Sequence, residues 1–232
     1  MSDLQNIEQP SWGDVVSTPA ERNKVMRNTY WLLALSLLPT VFGAWIGVET
    51  GITQSLGGGL GLIVFLGGAI GFMYAIEKTK ESSTGVYVLL GFTFFMGLML
   101  SRMIAMVLGF KNGADLIMTA FAGTAGVFAV MATLASVIKR DLSGMGKWLF
   151  VGALVLMVGG IVNMFVGSTA GMMALSVAAI GIFSAYMLYD LKQILDGGET
   201  NYISATLMLY MDLFNVFQSL LALLGIWGGE RD

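Results

Sequence analysis

Apolar positions along this chain arrive in seven long runs separated by short polar punctuation. The runs cover residues 30–48, 56–76, 86–108, 116–138, 148–166, 171–195 and 203–227. Each is long enough to cross about 30 Å of hydrocarbon as a helix. The pattern predicts an all-α integral membrane protein, with a seven-helix transmembrane domain over residues 25–232. Residues 1–24 are polar, carry Pro10 and Pro19, and are expected to form a flexible cytoplasmic tail. The tail lacks the basic start and short apolar core of a secretory signal, so it is expected to be kept.

Within the runs, proline and glycine modify the picture. Pro39 lies inside the first and should kink it. The second is dense in glycine, and Gly57-x-x-x-Gly61 and Gly67-x-x-x-Gly71 put small residues on one helical face. That arrangement favours close helix packing and is expected to serve packing rather than function.

Charge then orients the runs. A cytoplasmic N-terminus places Arg22, Lys24, Arg27, Lys78, Lys80, Lys139, Arg140, Lys147 and Lys192 on one side. Only Arg102, Lys111 and Arg231 fall on the other, so the positive-inside rule predicts a C-terminus outside the cytoplasm. The net charge of −3 adds little, because it is the distribution that orients the chain. No nucleic-acid role is expected. The chain has no cysteine and no histidine, which excludes disulfides, Ser-His-Asp triads and imidazole-ligated zinc or haem. A retinal photoreceptor is excluded by the lack of a lysine in the seventh run. No enzymatic activity and no cofactor are expected.

The candidate chemistry lies in the last two runs. Asp190 sits in Tyr186-Met-Leu-Tyr-Asp190 and Asp212 in Leu209-Tyr-Met-Asp212-Leu-Phe-Asn215. The linker Asp196-Gly-Gly-Glu-Thr-Asn-Tyr202 fits an antiparallel hairpin. At helical rise Asp190 lies roughly 8 Å inside its helix end and Asp212 roughly 12–16 Å inside its own. A carboxylate so deep costs several kcal/mol in hydrocarbon and should face the protein interior. Two arrangements remain open: a pair sharing one proton, or two separate aspartates near the cytoplasmic interface. Asp212, Asn215 and Ser219 form one stripe at i, i+3 and i+7, bordered by Gln218, for ion passage or ordinary interhelical bonding. Tyr186 can donate to either carboxylate or serve as an interfacial anchor. Arg102 and Asp115 flank one loop and are candidates to pair. The seventeen methionines are spread across several runs, as packing residues would be.

Leu188-Tyr-Asp190, Gly197-Gly-Glu-Thr-Asn-Tyr202 and Leu209-Tyr-Met-Asp212-Leu-Phe-Asn-Val-Phe217 resemble the Bax inhibitor family. Phe121-Ala-Gly-Thr124, Lys139-Arg-Asp-Leu-Ser143 and Gly160-Ile-Val-Asn-Met-Phe165 extend the likeness, and the hairpin is most similar to the bacterial YccA-like branch. The resemblance implies a seventh helix wrapped by the other six, in a bacterial inner membrane. It also implies a pH-sensitive calcium leak governed by two aspartates, whose positions Asp190 and Asp212 match. In leak-forming relatives an arginine at the inner end of the second helix contacts the pair. Here Ile76-Glu-Lys-Thr-Lys-Glu81 offers Lys78 as the stand-in. The expected function is therefore a calcium or cation leak, with calcium or protons as partners and transient calcium contact at Asp190 and Asp212. The alternative implied by the same branch is a modulator of the membrane protease FtsH, acting through the N-terminal tail.

Overall fold

A computed structural model describes residues 18–56 and 58–229. The described residues form seven α-helices: α1 (Pro19–Thr50), α2 (Gly58–Thr79), α3 (Ser83–Leu108), α4 (Gly113–Val137), α5 (Met145–Val166), α6 (Thr169–Asp196) and α7 (Tyr202–Trp227). All seven are long and apolar enough to cross a membrane. The chain is a seven-helix membrane protein, as the hydrophobic pattern predicts.

The first helix begins well before its apolar run. Thr18 Oγ1 accepts from Glu21 N–H at 3.3 Å, and Thr18 N–H donates to Glu21 Oε2 at 2.7 Å. This reciprocal cap precedes Pro19, whose fixed φ suits a first helical turn. Residues 19–24, expected in the flexible tail, are therefore helix. Residues 1–17 lie outside the described residues, as do residues 57 and 230–232 and hence the expected C-terminal segment. The helix runs on through Pro39.

Close packing falls elsewhere than the glycine-rich second run predicts. A Cβ on Gly71 or Gly67 would meet nothing, so those glycines bring no backbone near. By contrast, a Cβ on Gly43 would strike the Phe94 carbonyl, and one on Gly97 would strike the Thr40 carbonyl. The most intimate helix pair is accordingly α1 with α3. Small residues spaced along two facing helices allow that approach, whereas on α2 Gly67 and Gly71 face open space and Gly68 meets only the Phe95 ring of α3.

Helix α7 packs against α1, α2, α3, α4 and α6. Its buried residues include Ile203, Ala205, Thr206, Leu209, Tyr210, Asp212, Phe214, Val216 and Leu221. Among the described residues helix α5 reaches only α6, so α7 contacts five of the six others rather than all. The hairpin that carries the two aspartates is pinned at its turn. Gly197 ends α6 with φ 83°, a left-handed value suited to glycine. Asn201 then caps α7, its Oδ1 accepting from Ile203 and Ser204 N–H at 2.9 and 3.1 Å. Its Nδ2 donates to the Lys80 carbonyl at 2.9 Å, tying this loop to the α2–α3 loop.

Candidate functional site

Asp190 lies about 9 Å from the end of α6 and Asp212 about 15 Å from the start of α7. They are 6% and 4% exposed, which is rare for carboxyl groups without a partner. The two carboxyls face each other across the α6–α7 interface, close enough to act on one another. A carboxyl–carboxyl contact of this kind requires a proton between the oxygens, since two ionised groups only accept. The two aspartates thus face each other, the arrangement that a shared proton would need. Asp212 Oδ2 has no hydrogen-bond partner in the protein and is buried. Among the described residues no third Asp, Glu, His or Cys joins the pair as a metal-holding group.

The remaining sequence candidates divide. Tyr186 is near enough to both carboxyls to interact with their charge, but its hydroxyl bonds to neither, and its ring stacks on Phe183 at 6.1 Å. Asn215 donates to the Met211 carbonyl on its own helix at 2.7 Å, so its amide serves α7 rather than a neighbour. Ser219 makes no bond to another helix among the described residues, and Gln218 is exposed. The polar stripe therefore ends at Asp212 as far as contacts with other helices go.

Lys78 does not reach the pair. It is exposed, with its ammonium over the Tyr74 ring at 5.6 Å. The cause is the packing of α2, which lies against α3 and touches α7 slightly and α6 not at all. The cation brought to α6 is Arg22 of α1, whose Nη1 donates to the Leu195 carbonyl at 3.5 Å. The capping pair Thr18 and Glu21 was the signal that would have placed Arg22 inside α1. Arg102 and Asp115 are both exposed, and among the described residues neither forms an ion pair.

Two buried hydroxyls escaped the sequence reading. Tyr210, 1% exposed, shares a 2.8 Å hydrogen bond with Thr40 Oγ1 of α1 and reaches the Thr93 carbonyl of α3 at 3.4 Å. Thr206 donates to the Tyr202 carbonyl of its own helix at 2.6 Å and lies 3.4 Å from the Thr29 carbonyl of α1. The spacing Thr206-x-x-x-Tyr210 is a second polar stripe on α7, and periodicity alone would have found it.

The fold and the buried pair define a class: a seven-helix membrane protein whose last two helices meet through carboxyl groups. The chain belongs to the Bax inhibitor family, whose model, described as inhibitor of apoptosis-promoting Bax1, matches residues 22–229. Within it the chain falls in the YccA-like branch. It is 37% identical over 203 residues to the Escherichia coli protein named modulator of FtsH protease YccA, covering 88% of this chain and 90% of that one. It is also 34% identical over 220 residues to an uncharacterised Neisseria meningitidis protein, covering 94% and 97%. A Vibrio cholerae membrane protein is 35% identical over 207 residues, covering 89% and 91%.

Proposed function

We propose that this protein is a pH-sensitive cation leak of a bacterial inner membrane, with calcium as the permeant ion and the Asp190–Asp212 pair as its gate. The observation that carries the reading is the buried contact between these carboxyls, one on each of the last two helices. A carboxyl–carboxylate bond is charge-assisted and ties α6 to α7, which is the closed state. A second proton leaves an ordinary hydrogen bond and loosens the tie. Glu199 in the loop is the ionisable neighbour whose charge acts on Asp190, and Tyr186 on α6 lies near both carboxyls. Calcium takes six to eight oxygen ligands, so at two carboxyls it must keep several waters, as a passing ion does and a resident one does not. The test is calcium flux into proteoliposomes at neutral and acidic pH. Asp212→Asn should flatten the response, and an unaltered response would end the gating role.

A second reading follows from the name of the Escherichia coli relative: modulation of a membrane protease. Residues 1–17 are polar and proline-bearing, as an unfolded handle for a processive protease would be. Deleting them spares the Thr18 cap and the seven helices. The deletion should stop slow degradation by FtsH and any inhibition of it, and an unchanged degradation rate would contradict this role.

A further inference from the structure

Asp212 can meet Asp190 only if α7 holds one rotation about its own axis. Tyr210 stands two residues before Asp212, which at 3.6 residues per turn places it about 200° around the helix. The two side chains therefore leave α7 on opposite sides, Asp212 toward α6 and Tyr210 toward α1 and α3. We propose that Tyr210 is the positioning residue that fixes the rotation of α7 and so aims Asp212 at Asp190. This rests on the reading of that pair as the gate.

The hydroxyl of Tyr210 is a directional anchor in an otherwise apolar setting. Its ring lies 6.0 Å from those of Phe92 and Phe214, at interplanar angles of 69° and 33°. When Thr40 donates to the Ser36 carbonyl, at 2.9 Å, Tyr210 donates to Thr40. In the other arrangement Thr40 donates to Tyr210, which then donates to the Thr93 carbonyl. Either way the hydroxyl is satisfied, and α7 is bound to α1 or to both α1 and α3.

The anchor itself cannot drift. Thr40 follows Pro39, and its carbonyl lies so close to Gly97 of α3 that a Cβ there would strike it. Thr206, one turn before Tyr210 on the same side, donates to the Tyr202 carbonyl of α7 itself and packs its hydroxyl 3.4 Å from the Thr29 carbonyl of α1. Ring packing alone would hold the distance between helices and permit α7 to roll. A hydrogen bond on one side and a carboxyl contact on the other define the angle.

The test is infrared difference spectroscopy of the full chain in lipid nanodiscs, with calcium flux measured on the same preparations. The wild type should show a hydrogen-bonded carboxyl C=O band that Asp212→Asn shifts and that Asp190→Asn combined with Asp212→Asn removes. Tyr210→Phe keeps the ring and should move that band toward the frequency of a carboxyl without a partner. Thr40→Val should reproduce the move, the double variant should add nothing, and Thr40→Ser should restore the wild-type band. Phe92→Leu loosens the ring packing but keeps the hydroxyl bond, and should leave the band in place. A band unmoved in both Tyr210→Phe and Thr40→Val overturns the proposal, as does one that moves equally in Phe92→Leu. Absence of any band sensitive to Asp212→Asn overturns it too, because then no shared proton is being positioned. A band that moves while flux keeps its full pH dependence sustains the positioning role and removes the gating role of the pair.

Discussion

On the proposed reading, a single shared proton distinguishes the Asp190–Asp212 contact from two buried charges. Breaking one partner of such a contact leaves the other carboxyl in a low-dielectric site, where it is expected to stay protonated. Asp190→Asn and Asp212→Asn should therefore be tolerated by the fold, each costing less than about 3 kcal/mol, because an amide still hydrogen-bonds a carboxyl. Thermal unfolding in detergent checks this. At the membrane surface, Asp141 shows the opposite use of a carboxylate. Its Oδ1 accepts from Ser143 N–H at 2.8 Å and its Oδ2 from the Ser143 hydroxyl at 2.9 Å, and these bonds hold its pKa below the ordinary 3.8. The sign follows from which form accepts the bonds. The contribution of this turn is present above the unfolded value and is lost only as pH falls through the lower folded one. Carbon-13 shifts of Asp141 should titrate below 3.8, and a midpoint at or above 3.8 would mean that the turn does not form.

Among the helices, the contact between α1 and α3 is the least forgiving. Gly43→Leu or Gly97→Leu must push two backbones apart, and overpacking of this kind costs about 1–3 kcal/mol or more. Gly71→Leu on α2 meets open space and should be near neutral. The contrast is measurable as loss of thermal stability at the first two positions and not at the third. The N-cap of α7 gives a milder case: Asn201→Ala removes two accepted bonds and should cost about 1 kcal/mol. The existence of every helix was legible in the hydrophobic runs, because hydrocarbon demands about 20 apolar residues per span. The tight glycines were not. A glycine pattern shows where backbones can approach, and only the partner helix decides where they do. Lys78 failed as a partner for the same reason. Its distance from Asp190 depends on where α2 packs, and a charge count along the chain does not contain that.

At the scale of the molecule, α7 sits among five helices while α5 lies at the edge against α6 alone. The depth of Asp190 and Asp212 was readable from helix rise, but the spacing left open whether they meet, because that depends on how α6 and α7 are rotated against each other. The side of α7 that anchors it was not read, because tyrosine and threonine draw less notice than a carboxylate in an apolar run. Cation placement along the chain predicts an N-terminus in the cytoplasm and a C-terminus outside it. A periplasm-active reporter fused after Asp232 should accordingly be active, and activity of a cytoplasmic reporter there would refute the orientation.

The most direct measurement of the central claim is calcium flux against pH in proteoliposomes containing the wild type, Asp190→Asn, Asp212→Asn and the double variant. Adding the second proton reduces a charge-assisted bond of about 1.5–3 kcal/mol to an ordinary one near 1 kcal/mol. That difference shifts a two-state gate by about tenfold, so wild-type flux should rise by about that factor on acidification. The midpoint belongs to the coupled pair rather than to either residue. Each single variant should flatten the curve, and the double variant should add little. Flux that keeps its full pH dependence in both single variants would contradict the account.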